Sequence, residues 1–559
     1  KTIGTDLIYK NKIIKLNKIK SKISIKSIIN NQFALSEILI STKSLHIKDL
    51  ISFIRLLNND PKLFIAEQFI ENGYIVAELK LEFDEFGKVK NNYKVNGLVN
   101  DGEISLLSKR LSKLNFIFQI VDNELKFSDA KLLLNNKSII IPELIAIKQD
   151  NNFLVSGKIK SKNLDFKEKD IKDFIDNEFL KINLKEIIFT SDSDFSFKIN
   201  KNFKLKNFDI KSNIILDYLK FNNFLKLNNN FPNIKDDIIF ENQKIKLDYN
   251  KNNLNIIGSG NIFLQEELDI IQYNVTKNKK EFIFDTNLKI SKNPFIIDLL
   301  GYVKNEKSTL NLALKGKSNK DELFFKEILI SENKNILSIK DLKLSQNYKI
   351  NDIGNIQIDY IDKENLDNQV QIIKNNKNYK IIGNSFNINK IVTELLDSNN
   401  NKTDFFDKNF KLLFDIKKIY LDKTNTTNNL KGFLLLDNNK ITEVNLESEF
   451  SNKQKIKFTI KTNNNDEKIT TLFSSKAKPL VNRYKFIKGY EEGYLDFYSS
   501  KINNISKSKL KIYDFKLKEL PVLTKLLTLA SLQGIADLLS GEGIRFSEME
   551  MNFKNSSNL

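Results

Sequence analysis

FSFKINKNFKL, residues Phe195 to Leu205, decides the fold. Phe195, Phe197 and Ile199 alternate with Ser and Lys, Asn200-Lys201-Asn202 has the composition of a turn, and Phe203 and Leu205 resume the alternation. A period of two is that of a β-strand with one apolar and one polar face. The same unit recurs along the chain. Ile245, Leu247 and Tyr249 lead into Asn250-Lys251-Asn252-Asn253 and then Leu254 and Ile256. Further on come Phe282 and Phe284, then Leu310, Leu312 and Leu314, then Ile456, Phe458 and Ile460 ahead of a turn around Asn463–Asp466. Asn and Asp suit such turns because they tolerate left-handed backbone and bond their own main chain. Alternating strands joined by tight turns predict a mainly β protein built as an antiparallel meander. One strand for roughly 12–14 residues gives about 40 strands, spaced about 4.8 Å apart.

Helices are expected to be few and short, at Ile47–Leu57, Pro294–Leu300 and Ile388–Leu396. A fourth lies in LPVLTKLLTLASLQGIADLLSGEGIRFSEMEMNF (Leu520–Phe553), where Leu523, Leu526, Leu527 and Ala530 recur at helical spacing and Ile535, Leu538 and Leu539 extend the apolar surface. Its stripe suits either an end cap on the sheet or a membrane interface. Lys525 and Asp537 should fall outside the stripe, and because Leu520–Leu539 carries them together with Gln533, the segment is not expected to span a bilayer.

Composition narrows the function. The 559 residues are 41% hydrophobic and 28% charged, enough apolar content for extensive burial. There is no Cys and one His, which removes disulfides, thiolate sites and nearly all zinc or haem ligation. The net charge of +19 comes almost wholly from Lys, alternating with Asn and Asp along strands. That is the pattern of a solvated face; nucleic-acid readers favour Arg, so no nucleic-acid partner is expected.

No catalytic constellation assembles, and an enzyme is not expected. His46 reads as a surface or strand residue, and the glycine pairs Gly258-Ser259-Gly260 and Gly541-Glu542-Gly543 read as turns. Glu491 and Glu492 would point to opposite faces if extended, whereas Glu548 and Glu550 would share one that meets water. No metal and no cofactor are expected. The apolar sheet face must be covered by a second sheet, by its own curl or by a ligand, and periodicity does not choose among them.

SLQGIADLLSGEGIRF (Ser531–Phe546), with AKPLVNRYKFIKGYEEGYLDFYSSK (Ala477–Lys501) upstream, resembles the C-terminal region of AsmA-like proteins of the YhdP/TamB type. ISTKSLHIKDLISFIRLL (Ile40–Leu57), FDEFGKVKNNYKVNG (Phe83–Gly97) and GSGNIFLQ (Gly258–Gln265) carry weaker similarity. The resemblance implies an elongated curled sheet, a taco-like β-groove, over residues 1–476. It implies the start of the AsmA-like C-terminal region, with the apolar helix 520–540, over residues 477–559. It further implies bridge-like transport of phospholipid between inner and outer membrane in the periplasm, supporting outer-membrane integrity. Family members carry an inner-membrane anchor and further C-terminal strands, so the chain is expected to be a piece of a longer protein. Phe195, Phe197, Phe203, Leu205, Leu247, Phe282, Phe284, Leu312 and Phe458 are the expected acyl-chain lining, and Leu523, Leu526, Leu527, Ala530 and Leu538 the expected membrane or end-cap helix. The alternative is a structural or adhesive surface β protein with a dry core and no lipid cargo.

Overall fold

A computed structural model of the chain describes residues 1–556 apart from 10–11, 58–66, 91, 107–108, 123, 150–151, 173–182, 201–203, 223–230, 232, 320, 346–347, 377, 391–408, 438–439, 464–466, 485–488, 503–504, 519–535, 537–539 and 541–542. The fold is mainly β, 74% strand and 7% helix. The chain divides into two compact units, Lys1–Lys280 and Glu281–Leu559.

The first unit is an antiparallel ladder that does not close on itself. Lys12–Ile23 takes the short strands Thr2–Ile3 and Asp6–Tyr9 along one edge and Leu35–Thr42 along the other. The ladder continues through Ile70–Glu82, Lys94–Leu106, Lys109–Val121 and Glu124–Leu134 to Lys137–Gln149. It then runs through Asn152–Lys167, Leu184–Asn200, Leu205–Asn222, Asp237–Asn250 and Asn253–Phe263 to Asp269–Lys277. The expected turn Asn250–Asn253 forms, with Lys251 and Asn252 at positive φ, and Asn135 and Asn136 make another of the same kind.

The second unit is built the same way, from Phe282–Ile290 to Ile544–Ser556. One step departs from the expected meander. Asn378–Asn387 and Phe410–Tyr420 lie parallel. A parallel pair needs a crossover in place of a hairpin; most of the chain between these two strands lies outside the described residues.

Among the described residues there are 34 strands, fewer than the expected number because several are long. Leu205–Asn222 has 18 residues and Leu184–Asn200 has 17. The length is carried through bulges. Asp101, Lys113, Asp129, Asn163, Asn207, Asn242, Asp341, Asn429 and Asp514 all lie within strands at φ between 48° and 54°. A bulge adds one residue, switches the alternation and bends the strand. Thus Leu205 stands opposite Ile199 while Ile210 stands opposite Phe195, with the register shift between them.

The helix Ile47–Leu57 forms as expected. Pro294–Leu300 does not: it is the short strand Ile296–Ile297 followed by a 3₁₀ turn, Asp298–Leu300. Gly301 ends that turn at φ 61°, and Tyr302–Val303 pairs back on the strand. The expected helix Ile388–Leu396 falls mostly outside the described residues.

Candidate functional site

The pairing registers place apolar residues opposite one another through long series of strands. In the second unit, Leu314, Ile328, Ile339, Ile356, Ile372 and Ile381 are successive partners. The row crosses the parallel pair to Phe414, then continues through Gly432, Leu446, Phe458, Leu472, Phe497, Leu510 and Met551. No position in it is polar. At about 4.8 Å per strand it runs for about 60 Å.

The first unit carries two such rows side by side. Ile19, Ile40, Leu79, Val95, Ile120, Leu125, Ala146, Val155 and Phe197 form one. Ala77, Gly97, Phe118, Phe127, Leu144, Gly157, Phe195, Ile210, Tyr249 and Leu254 form the other. Rings continue the surface: Phe195 stacks on Phe197 at 5.8 Å, Phe197 lies 6.3 Å from Phe208, and Phe208 6.1 Å from Tyr249.

From Leu314 to Phe497 every side chain in the long row is only half-buried; Leu510 is buried. Neighbouring positions on the same faces are sealed, among them Ile416, Val444 and Ile460 beside the long row and Ala146, Val155 and Phe195 in the first unit, and local elements lie over other parts. The helix Ile47–Leu57 sets Phe53 among Leu16, Leu45, Ile75, Val99 and Phe118. The hairpin Ile296–Val303 buries Tyr302 edge-on against Tyr360 at 5.6 Å. The helix Lys478–Tyr484 packs Val481 with Leu495, Ile512 and Phe515.

The hairpin is fastened through one carboxylate. Glu332 accepts from the Tyr302 hydroxyl at 2.5 Å, from the Asn305 amide at 2.7 Å and from the Ser308 hydroxyl. Burial works to raise the Glu332 pKa, but the hydrogen bonds from Ser308, Tyr302 and Asn305 hold it below the usual range. Burial and Glu332 together push the Tyr302 phenol well up. On the open part of the first unit's apolar face, burial alone pushes Tyr273 up to about 12.

The opposite faces are charged and solvated. Lys158 pairs with Asp194 at 3.5 Å and Lys160 with Asp192 at 3.0 Å, each across one rung. Exposed pairs of this kind contribute little to stability. Glu548 and Glu550 share a face, as expected, and both grip Lys511, at 2.7 and 3.0 Å. Glu491 and Glu492 are not an extended pair, because Glu492 takes φ 63° in a bulge. Each carboxylate finds its own cations: Lys478 and Lys518 for Glu491, Lys516 and Arg545 for Glu492. His46 ends the strand Leu45–His46, exposed, its ring 4.4 Å from that of Tyr74.

The expected lining residues fall on these faces. Phe195 and Phe197 occupy adjacent rows of the first unit, Leu247 lies opposite Ile256 in the next row, and Leu205 sits at a strand end, 55% exposed. In the second unit Leu312 neighbours the long row, Phe458 belongs to it, and Phe282 and Phe284 lie near its start. Phe203 lies outside the described residues, as do Leu523, Leu526, Leu527, Ala530 and Leu538.

One expectation is corrected. Gly258 and Gly260 are not in a turn but within the strand Asn253–Phe263. Gly258 stands opposite Tyr273, whose ring occupies the space of a Cβ. Glycine inside an alternating run is the signal for such a close approach. The in-strand Asn and Asp bulges had a signal too, since alternation slips by one residue at each.

Among the described residues no helix is long and apolar enough to cross a membrane, and no group of His, Cys, Asp and Glu is arranged to hold a metal. The features define a class: mostly antiparallel sheet, not closed into a barrel, with long apolar rows on one face and charged pairs on the other. Comparison of the chain with family models, with curated proteins and with solved structures finds no match.

Proposed function

We propose that the chain is part of an AsmA-like, bridge-type lipid transport protein, and that its apolar sheet faces are the floor of a groove for phospholipid acyl chains. The observation that carries the reading is the unbroken apolar row from Leu314 to Met551 on a face left half-exposed. Apolar surface of that extent needs a cover, and a row without polar positions suits a mobile hydrocarbon cover. Register shifts in consecutive strand pairs of the first unit support a curled shape, since each bulge bends its strand. Curling with the apolar face inward makes the groove, and the Lys/Asp faces then meet water.

The energetics favour sliding. An acyl chain gains roughly 0.8 kcal/mol per buried CH₂ relative to water, but it gains about the same in a bilayer. A uniform floor therefore holds lipid without a deep trap, and headgroups remain in solvent. Transfer is passive in this mechanism, between inner and outer membrane across the periplasm, with direction set elsewhere. The half-buried row speaks against the alternative, an adhesive β protein with a dry core.

Uptake of fluorescent phospholipid by delipidated protein tests the proposal. A groove takes up several lipids per chain; a dry-cored sheet takes up none.

A further inference from the structure

We infer that aromatic rings folded flat onto cross-strand glycines keep the groove floor low enough for acyl chains to pass, with Gly258 and Tyr273 the clearest pair. The inference rests on the groove reading above. Four ladder pairs share the arrangement: Gly97 with Phe118, Gly157 with Phe195, Gly258 with Tyr273, and Gly316 with Phe284. A methyl group on the glycine would stand 2.2 Å from Cζ of Phe118, 3.0 Å from that of Phe195, 2.3 Å from that of Tyr273 and 2.8 Å from that of Phe284. Each ring thus lies across the neighbouring strand, where any other residue would hold it off.

Side chains in a sheet ordinarily stand perpendicular to it. A ring in that posture would project into the path of a chain lying on the floor. The difference appears within one strand. Phe282, opposite Ser318, is 40% exposed, whereas Phe284, opposite Gly316, is half-buried. Phe195, seated on Gly157 in the first unit, is 9% exposed, while Phe118 lies beneath the helix Ile47–Leu57. Glycine weakens a strand by its flexibility, so its placement under rings on the apolar face calls for a reason beyond the ladder. Low relief along the path supplies one.

Gly258 gives the cleanest test. The three atoms nearest its absent Cβ all belong to the Tyr273 ring, while at Gly97, Gly157 and Gly316 backbone carbonyls also intrude. Gly258→Ala should therefore raise the ring without disturbing the ladder, and Gly258→Ala/Tyr273→Ala should remove the raised ring. The measurement is transfer of a fluorescent phosphatidylethanolamine between vesicles by the full chain, with thermal unfolding recorded for each variant. The expected result is a several-fold loss of transfer in Gly258→Ala, restored in the double variant. Equal transfer by wild type and Gly258→Ala overturns the inference and leaves the groove reading intact. Equal loss in both variants overturns it as well, because the glycine would then serve only the sheet. A wild-type chain that moves no lipid removes the groove reading itself, and this inference with it.

Discussion

A charge placed at Phe458 meets neighbours that offer it nothing. Leu446 and Leu472 are its ladder partners, and the row beyond them is apolar in both directions. A buried unpaired charge costs several kcal/mol, and one on a lipid path also blocks the path. Phe458→Asp is expected to cut vesicle-to-vesicle transfer several-fold while the circular dichroism spectrum stays that of the wild type; Leu247→Lys should do the same in the first unit. Unchanged transfer in both would count against a lipid floor. On the charged face the expected effect is one of pH. Hydrogen bonds from Asn552, Lys509 and Lys511 bring Glu550 down to about 2 from an ordinary value of 4.5. A carboxylate with a depressed folded-state pKa contributes stability that is complete above its unfolded value and is lost as pH falls through the folded one. Hydrogen-exchange protection of Ile544–Ser556 should therefore fall between about pH 4.5 and 2, and Glu550→Gln should flatten that fall.

Elements depend on a few residues each. Phe53 is 5% exposed and is the helix Ile47–Leu57's main hold on the sheet. Phe53→Ala removes a buried ring, a change that costs about 3–5 kcal/mol. Amide exchange should rise in Lys12–Ile23 and Ile70–Glu82 and stay unchanged in the second unit. Bulges behave differently. Asn242 holds φ 50° within its strand, and Asn242→Val should destabilise by about 1–2 kcal/mol in urea unfolding, whereas Asn242→Gly should be tolerated. Such positions mark the limit of what alternation makes legible. Phe195, Phe197 and Leu247 could be placed on one face from their spacing, because the run between turns there is regular. Leu205 and Ile210 differ in parity yet face the same way, since Asn207 inserts an unpaired residue between them. Gly258 reads as a turn residue in the sequence because glycine serves both turns and close approaches, and only the register reveals the ring of Tyr273 above it. The hairpin Ile296–Val303 was not legible: Pro294–Leu300 reads as a short helix, and Glu332, the anchor that fastens the strap, is distant in sequence.

The whole molecule is a problem of covering. Each unit presents apolar rows on one face; the long row of the second unit is half-buried from Leu314 to Phe497, while the first unit's rows include buried Ala146, Val155 and Phe195. That such rows are largely apolar was legible from composition and period; how they are covered was not, because periodicity is the same in a sandwich and in an open sheet. A lipid cover accounts for both the face and its continuity. The long row of the second unit extends about 60 Å, several times the depth of one leaflet's hydrocarbon, about 15 Å. Several lipids per chain are therefore expected at saturation. Native mass spectrometry of the full chain, released from mild detergent before and after incubation with phospholipid vesicles, tests this most directly. The account predicts a ladder of adducts at phospholipid mass that is reduced in Phe458→Asp; a folded chain that stays free of lipid under the same conditions would contradict it.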